Sequence, residues 1–402
     1  MESKDKSDRH EIVPSGGKAV SKASQNLVRR GFQELTRLSY VKKKKIFTTT
    51  ERLVCLSAWG KALLLCEAPT HAGRQFREEG PDPVSRLKLV DLENDAEPRI
   101  CVVPAEPIEW VYGCRPSFSP CGRFLAIGAA TAPPSLLLID TERMKALESL
   151  EVISSEGTAR KWELQMAEGI TRLLWRGDIA WSESGDLLAA VSVGHSWFPL
   201  KLWQVSAKGD HPTMRLVSEA SYLRWWDRQL SSGLPSLKRL AFSAKDEHLA
   251  LVVGKLESVD TVFLLDLPTL REGARFEIDD DVQEICWACG GSSLLVLTVT
   301  NAYSIDPHAL TISNLKFKGE MCRTSIEHSL AAVLTGETKC WIDLVDLASS
   351  EPVTRLIVPS SVCDMRWSVE GTKLFVGCWD GWVYIYKLPT GVTSLKGSHD
   401  SR

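Results

Sequence analysis

No apolar run of the ~18 residues that a membrane-spanning helix needs occurs in the 402-residue chain. The segment from Met1 to Lys22 is polar, rich in Lys and Ser, and lacks the apolar stretch of a secretory signal. Neither sign of charge dominates: 48 Lys and Arg against 51 Asp and Glu leave a net charge of −3, which gives no global field to hold nucleic acid or an anionic membrane. The G-x-S-x-G elbow of serine hydrolases, the G-x-x-x-x-G-K-[ST] phosphate loop and the G-x-G-x-x-G dinucleotide turn are all missing. Cysteine is present but does not form a disulfide framework. Its 11 copies are odd in number and sit in apolar segments such as Leu53-Val54-Cys55-Leu56 and Leu65-Cys66, as small core residues do in a reducing compartment. The expectation is a soluble intracellular protein, cytoplasmic first, with the nucleus left open.

Helical periodicity is equally scarce. Residues 1–23 read as a disordered polar tail broken by Gly16-Gly17. Leu27, Val28, Phe32, Leu35 and Leu38 recur at helical spacing and predict one short amphipathic helix from Ser24 to about Leu38, so that 24–45 forms a helix plus a basic linker ending in Lys42-Lys43-Lys44-Lys45. From residue 46 to about 390 the chemistry is that of strands, and 391–402 is a polar tail.

Within that region a unit of about forty residues repeats, and several short strands per unit mean a propeller rather than a sandwich. One marker is an aromatic residue, a polar turn and an apolar strand. It appears in Phe118-Ser119-Pro120-Cys121-Gly122-Arg123-Phe124, and again from Trp181, Phe242, Trp287 and Trp367. The aromatic ends a buried strand, and the Gly or Asp takes the positive φ of a tight hairpin. A second marker is an apolar residue followed by Asp or a polar substitute: Val90-Asp91, Ile139-Asp140, Trp203-Gln204, Leu265-Asp266, Ile305-Asp306, Val345-Asp346 and Tyr386-Lys387. Asp266, Asp306, Asp346 and Tyr386 follow one another at intervals of 40 residues. Longer early intervals place insertions in loops. The count predicts an all-β, seven-bladed propeller of four-stranded blades.

These blocks resemble diverged WD-repeat β-propeller blades from about Phe47 to Leu388, most clearly in Ser119-Pro120-Cys121-Gly122 and in Gly377-Cys378-Trp379-Asp380-Gly381-Trp382. The Gly-His dipeptide that opens such repeats is missing from the starts of these units, Gly194-His195 falling after a central strand instead, and the terminal Trp-Asp is reduced to apolar-Asp in most units. What the resemblance implies is adaptor-like behaviour without catalysis. Ring closure requires an outer strand for the last blade, which would otherwise expose an unpaired edge. Lys45 to Glu51 is the expected donor, with Gly391 to Leu395 as the alternative.

Constellations for chemistry are weak. Cys286-Trp287-Ala288-Cys289 has redox spacing, but at a strand end its two thiols would face opposite ways. His248 and His328 stand singly, and the acidic cluster Glu277 to Asp281 lacks the turn glycine of a calcium loop. No cofactor or metal is expected. The 14 tryptophans are the stronger signal. With strands lettered a to d, the b–c and d–a loops share one rim. It would carry Trp197 and Phe198, Trp225, Trp226 and Arg228, and Trp379 and Trp382, residue types that dominate binding hot spots. The insertion Ala68 to Ser85 falls in a b–c loop on the same rim. The functional expectation is a non-catalytic platform for a protein or peptide partner, as a monomer or one subunit of a complex. Its rivals are a propeller enzyme with a metal or acid/base site in the central channel, and a nucleic-acid-binding propeller with a basic rim. The four lysines read as a solvated linker or an edge guard.

Overall fold

The computed structural model describes residues 40–45, 51–66, 85–103, 116–129, 135–151, 176–193, 200–206, 213–220, 236–254, 259–288, 291–325 and 329–388. The described strands form seven four-stranded antiparallel sheets, each meandering from an inner strand a to an outer strand d. Blade 7 also takes in the first strand of the chain, β1 (Tyr40–Lys45). Blade 1 is β2 (Glu51–Leu56), β3 (Lys61–Cys66), β4 (Ser85–Asp91) and β5 (Arg99–Val103), and blade 2 is β6 (Ser117–Phe118), β7 (Phe124–Ala129), β8 (Ser135–Asp140) and β9 (Lys145–Glu151). Blade 3 holds β10 (Arg176–Trp181), β11 (Leu187–Val193), β12 (Leu200–Ser206) and β13 (Thr213–Ala220). Blade 4 holds β14 (Ser236–Phe242), β15 (His248–Gly254), β16 (Asp260–Asp266) and β17 (Arg271–Ile278). Blade 5 is β18 (Val282–Trp287), β19 (Leu294–Thr298), β20 (Ala302–Asp306) and β21 (Thr311–Asn314). Blade 6 is β22 (Met321–Thr324), β23 (Leu330–Thr335), β24 (Trp341–Asp346) and β25 (Glu351–Ile357). Blade 7 is β26 (Val362–Trp367), β27 (Lys373–Cys378), β28 (Trp382–Lys387) and, outermost, β1.

The seven-bladed, four-stranded architecture is therefore as expected. The helix over residues 24–38 lies outside the described residues, among which there is no α-helix. Ring closure differs from the expectation in its residues. The closing strand is Tyr40–Lys45 and not Lys45 to Glu51: Lys42 to Lys45 pair with Ile385 to Trp382, while Glu51 opens the inner strand of blade 1. The outer place beside β28 is thus occupied by the N-terminal strand rather than by Gly391 to Leu395. A lysine-rich strand suits this position, because an outer edge must not template pairing with another chain. The lysines are also anchored, with Lys42 and Lys44 Nζ donating to the carbonyls of Glu93 and Asp91 in blade 1 at 3.0 and 2.9 Å. Lys43 Nζ lies 4.9 Å from the centre of the Trp382 ring.

The core is a ring of seven apolar clusters, one in each gap between adjacent blades. Period-two alternation produces it. On β15, Leu249, Leu251 and Val253 pack toward blade 3, whereas Ala250 and Val252 pack toward blade 5. A central strand is buried on both faces and so reads as a continuous apolar run, Leu249-Ala250-Leu251-Val252-Val253. Truncating one of its leucines to alanine costs roughly 2–5 kcal/mol.

Both repeat markers turn out to be turn devices. In the a–b hairpins the serine after the aromatic position accepts the N–H five residues on: Phe124 to Ser119 Oγ at 3.0 Å, Leu187 to Ser182 at 2.9 Å, His248 to Ser243 at 3.0 Å and Lys373 to Ser368 at 3.0 Å. The fourth turn residue is left-handed, at Gly122 with φ 71° and, without glycine, at Asp246 with φ 55°. In the c–d hairpins the aspartate that ends strand c accepts the N–H groups two and three residues on, as Asp140 Oδ1 does from Glu142 and Arg143 and Asp306 Oδ1 from His308 and Ala309. A left-handed residue follows at Met144, Leu270, Leu310 and Ser350.

Candidate functional site

Two places on this frame gather chemistry: the axial channel, lined by the a strands, and the b–c/d–a rim. The channel walls carry charge. On the a strands of blades 3, 4, 5 and 7, Asp178, Arg239, Glu284 and Asp364 stand three residues before the closing aromatic; Arg323 and Arg366 stand one residue before the end of theirs. Period-two alternation puts both positions on one strand face. The charges alternate in sign around the ring. Glu284 lies between Arg239 (Nε to Oε1 3.9 Å) and Arg323 (Nη1 to Oε2 3.2 Å), and Arg323 Nη2 lies 3.6 Å from Asp364 Oδ1. Burial disfavours the charged form of Arg323, but Glu284 and Asp364 overcome it and raise its pKa. The carboxylates also tie blades together through the backbone. Asp178 Oδ2 accepts the Leu240 N–H of blade 4, and Asp364 Oδ2 the Leu56 N–H of blade 1, each at 2.7 Å.

The closing aromatics add donors between blades. The indole N–H of Trp181 reaches the Ser117 carbonyl at 2.9 Å, that of Trp287 the Ala241 carbonyl at 3.0 Å and that of Trp367 the Arg323 carbonyl at 2.7 Å. Thr324 Oγ1 donates to the Trp287 carbonyl at 2.7 Å, and Trp59 to the Pro120 carbonyl at 2.6 Å. Every step around the ring thereby has a directed hydrogen bond between neighbouring blades. The exposed Trp59 is one of these ties: a Cβ on Gly122 would stand 2.5 Å from its ring.

Where the a strands run into the a–b turns, a cavity of about 370 Å³ opens in the channel. Its lining mixes hydroxyls (Ser57, Ser117, Ser182, Ser325) and apolar groups (Trp181, Phe242) with the charged Glu284, Arg323 and Arg366. Carboxylates do converge on the axis, the arrangement expected of a channel enzyme, but here they are answered by arginines and backbone N–H groups. No group of three metal-ligating side chains occurs among the described residues. Cys286 is half-buried, and its neighbour Cys322 together with desolvation pushes the thiol's pKa well up, away from a reactive thiolate. Cys289 and His328 lie outside the described residues, while His248 Nδ1 stands 3.3 Å from Asp266 Oδ1 at the start of a strand. In the acidic cluster, Asp280 accepts from the hydroxyls of Thr298 and Thr300, and Asp281 pairs with Lys238.

On the opposite end of the ring lies the b–c/d–a rim. Trp197, Phe198, Trp225, Trp226 and Arg228 fall in connections outside the described residues. Trp379 is described and is 59% exposed at the b–c turn of blade 7. Trp382 behaves differently, half-buried against the cluster between blades 6 and 7 with Lys43 over its ring. Two exposed residues that the sequence reading missed stand near Trp379. Trp341 (41% exposed) opens strand c of blade 6 and pairs across the sheet with Ile357 (72% exposed), which ends strand d. Trp379 N–H donates to the Ser361 carbonyl at 3.0 Å, and Ser361 lies in the d–a connection that follows Ile357. Arg355 holds Asp343 through two bonds of 2.6 and 2.8 Å and lies 4.9 Å from the Trp341 ring centre, fixing that indole at the rim. The available signal was strand polarity: an aromatic or aliphatic residue at the first position of strand c or the last of strand d is carried to this end of the ring.

No protein-family model matches the sequence, and no curated protein does. Solved structures match by fold. A chain of the mitotic checkpoint complex superposes with a TM-score of 0.54 at 10% identity, covering 88% of this chain and 96% of that one. A chain of Kuenenia stuttgartiensis hydrazine synthase superposes with a TM-score of 0.55 at 11% identity, covering 87% of this chain and 99% of that one. At such identities the likeness is one of fold, and it agrees with the sheet order: the chain is a seven-bladed β-propeller.

Proposed function

We propose that the protein is a non-catalytic interaction platform that docks a protein or peptide on the b–c/d–a rim over blades 6 and 7. The observation that carries this reading is the exposed set Trp341, Ile357 and Trp379, clustered on one end of the ring and braced by Arg355. Rigid aromatics of this kind supply buried area at low entropic cost, and Trp and Arg are enriched among binding hot spots. Fold alone does not decide between adaptor and enzyme, since one structural neighbour belongs to the mitotic checkpoint complex and another to hydrazine synthase. The charge pattern favours the adaptor. The channel carboxylates are engaged by arginines and backbone donors, and two of the β1 lysines, Lys42 and Lys44, are anchored on blade 1 rather than forming a basic rim. Further support for a diverged WD-repeat propeller comes from the Asp that closes strand c and from the aromatic-Ser turn. The cytoplasm is the expected compartment.

The test compares wild type with a Trp341→Ala/Trp379→Ala variant, and with Trp225→Ala/Trp226→Ala, by affinity capture from cells of the source organism. A defined partner retained by wild type and lost by folded rim variants supports the platform. Identical capture by all three removes the rim assignment.

A further inference from the structure

Among the described residues, three hydrogen-bond donors of the channel are left without a partner at one place. Arg366 lies on β26 among the lining residues of the 370 Å³ cavity; its Nε is buried without a partner among the described residues, and it forms no ion pair with a described carboxylate. Arg323 Nε is likewise buried and unpartnered, although its two terminal nitrogens are engaged. The Ser325 hydroxyl, fully buried, has no partner among the described residues either, whereas in four other blades the matching serine caps its turn. Leaving such groups dry and unpaired is costly, and a guanidinium in this setting is a ready fork for an oxyanion.

We infer that the cavity at the a–b end of the channel is a binding site for a small organic carboxylate, held by Arg366 with Ser325 and Arg323 Nε as further donors. A single negative charge fits better than a phosphate dianion, because Glu284 faces the same space and Asp364 adjoins it. An apolar body on the ligand matches Trp181, Leu240, Phe242 and Ile285 in the walls, and the volume is that of a small-molecule pocket. Burial and the neighbouring Arg323 both press the Arg366 pKa down, and a bound carboxylate would relieve that pressure. The site lies at the opposite end of the ring from Trp341 and Trp379, so it stands apart from the rim.

The experiment titrates the full chain with acetate, isobutyrate, benzoate and inorganic phosphate at constant ionic strength, by calorimetry and thermal shift, with a capped glutamate dipeptide as a further arm. The expected result is saturable binding of isobutyrate or benzoate, competitive between the two, weaker for acetate and phosphate. Arg366→Met should weaken it at least tenfold and Ser325→Ala severalfold. Arg366→Met also removes a half-buried charge that has no ion pair with a described carboxylate, so its unliganded Tm should equal or exceed that of wild type, which separates lost binding from lost folding. Preference for the capped glutamate would assign the carboxylate to an acidic side chain of a protein ligand at the same site. Absence of saturable binding, binding undiminished in both variants, or phosphate bound more tightly than any carboxylate would overturn the inference.

Discussion

Removing the carboxylate of Asp364 tests whether the ring is closed at its core as well as at its outer edge. Asp364 Oδ2 accepts the Leu56 N–H at 2.7 Å, joining positions 308 residues apart across the joint between blades 7 and 1, and Oδ1 faces Arg323 Nη2 at 3.6 Å. Asp364→Ala strands a buried N–H, at about 1–3 kcal/mol, and takes one of two carboxylates from a largely buried arginine. Breaking a buried ionic contact on one side costs about 3–5 kcal/mol, and since the two losses overlap that range is the total. Asp364→Asn keeps an oxygen for the Leu56 N–H and loses only the charge, so it should cost about 1–2 kcal/mol. With an unfolding entropy of about 2.1 cal/mol/K per residue, the alanine variant should melt ~4–6 °C lower and the asparagine variant ~1–3 °C lower. Tryptophan fluorescence in guanidinium and a thermal scan read both. An alanine variant within 0.5 kcal/mol of wild type, roughly the noise of surface substitutions, would refute the core-closure argument. Equal costs for the two variants would show that charge alone matters and that the Leu56 bond does not.

Two further outcomes follow from the turn and blade contacts. Trp287→Phe keeps the apolar ring but loses the indole bond to the Ala241 carbonyl at 3.0 Å, so it should cost about 1–2 kcal/mol in denaturant, with Trp367→Phe matching it through the Arg323 carbonyl; a loss at neither position would mean that packing alone holds the blades. At Asp280 burial opposes ionisation, but the hydroxyls of Thr298 and Thr300 and the N–H groups of Thr300 and Asp281 outweigh it and hold the pKa below its usual 3.8. Its stabilisation is therefore fully present above that value and fades as pH falls through the lower, folded pKa. Asp280→Asn should be less stable than wild type at pH 6 by under about 1 kcal/mol, given solvent screening, and the gap should narrow as the pH falls below 3.8. A gap that is constant with pH would show that the carboxylate's charge plays no part.

The fold was legible because most blades repeat the same local devices. The aromatic-Ser turn and the Asp that closes strand c had to recur at about forty residues, since both satisfy backbone groups at fixed places in a hairpin. Closure was legible as a requirement but not in its residues. Lys42 to Lys45 read as a linker because lysine is a poor interior strand residue, yet on an outermost strand its stem lies flat and its head reaches the neighbouring blade. The rim was partly legible. Trp379 stood out beside a turn glycine, whereas Trp341 and Ile357 look like ordinary strand residues until strand polarity places them at an end. The channel charges were not legible at all. Asp178, Arg239, Glu284, Arg323 and Asp364 are widely separated in sequence, and only ring geometry makes them neighbours.

The two ends of the ring are built under different constraints, and this assigns them different work. At the a–b and c–d end, serine and aspartate caps and left-handed residues hold the turns to nearly constant length, so neighbouring turns form an even collar around the channel mouth. Such a collar can frame a small cavity, but it offers little variety for recognising a large surface. At the other end the connections range from three residues between β17 and β18 to twenty-four between β9 and β10. Length variation there disturbs no blade, because the strands flanking each loop are fixed by the clusters between blades. Selection for a macromolecular partner can act on that end without cost to the ring, and it is there that Trp341, Ile357 and Trp379 are exposed. A ligand at Arg366 and a partner at Trp379 would therefore bind to one rigid body from opposite ends of its axis, and each could be removed by substitution without altering the other.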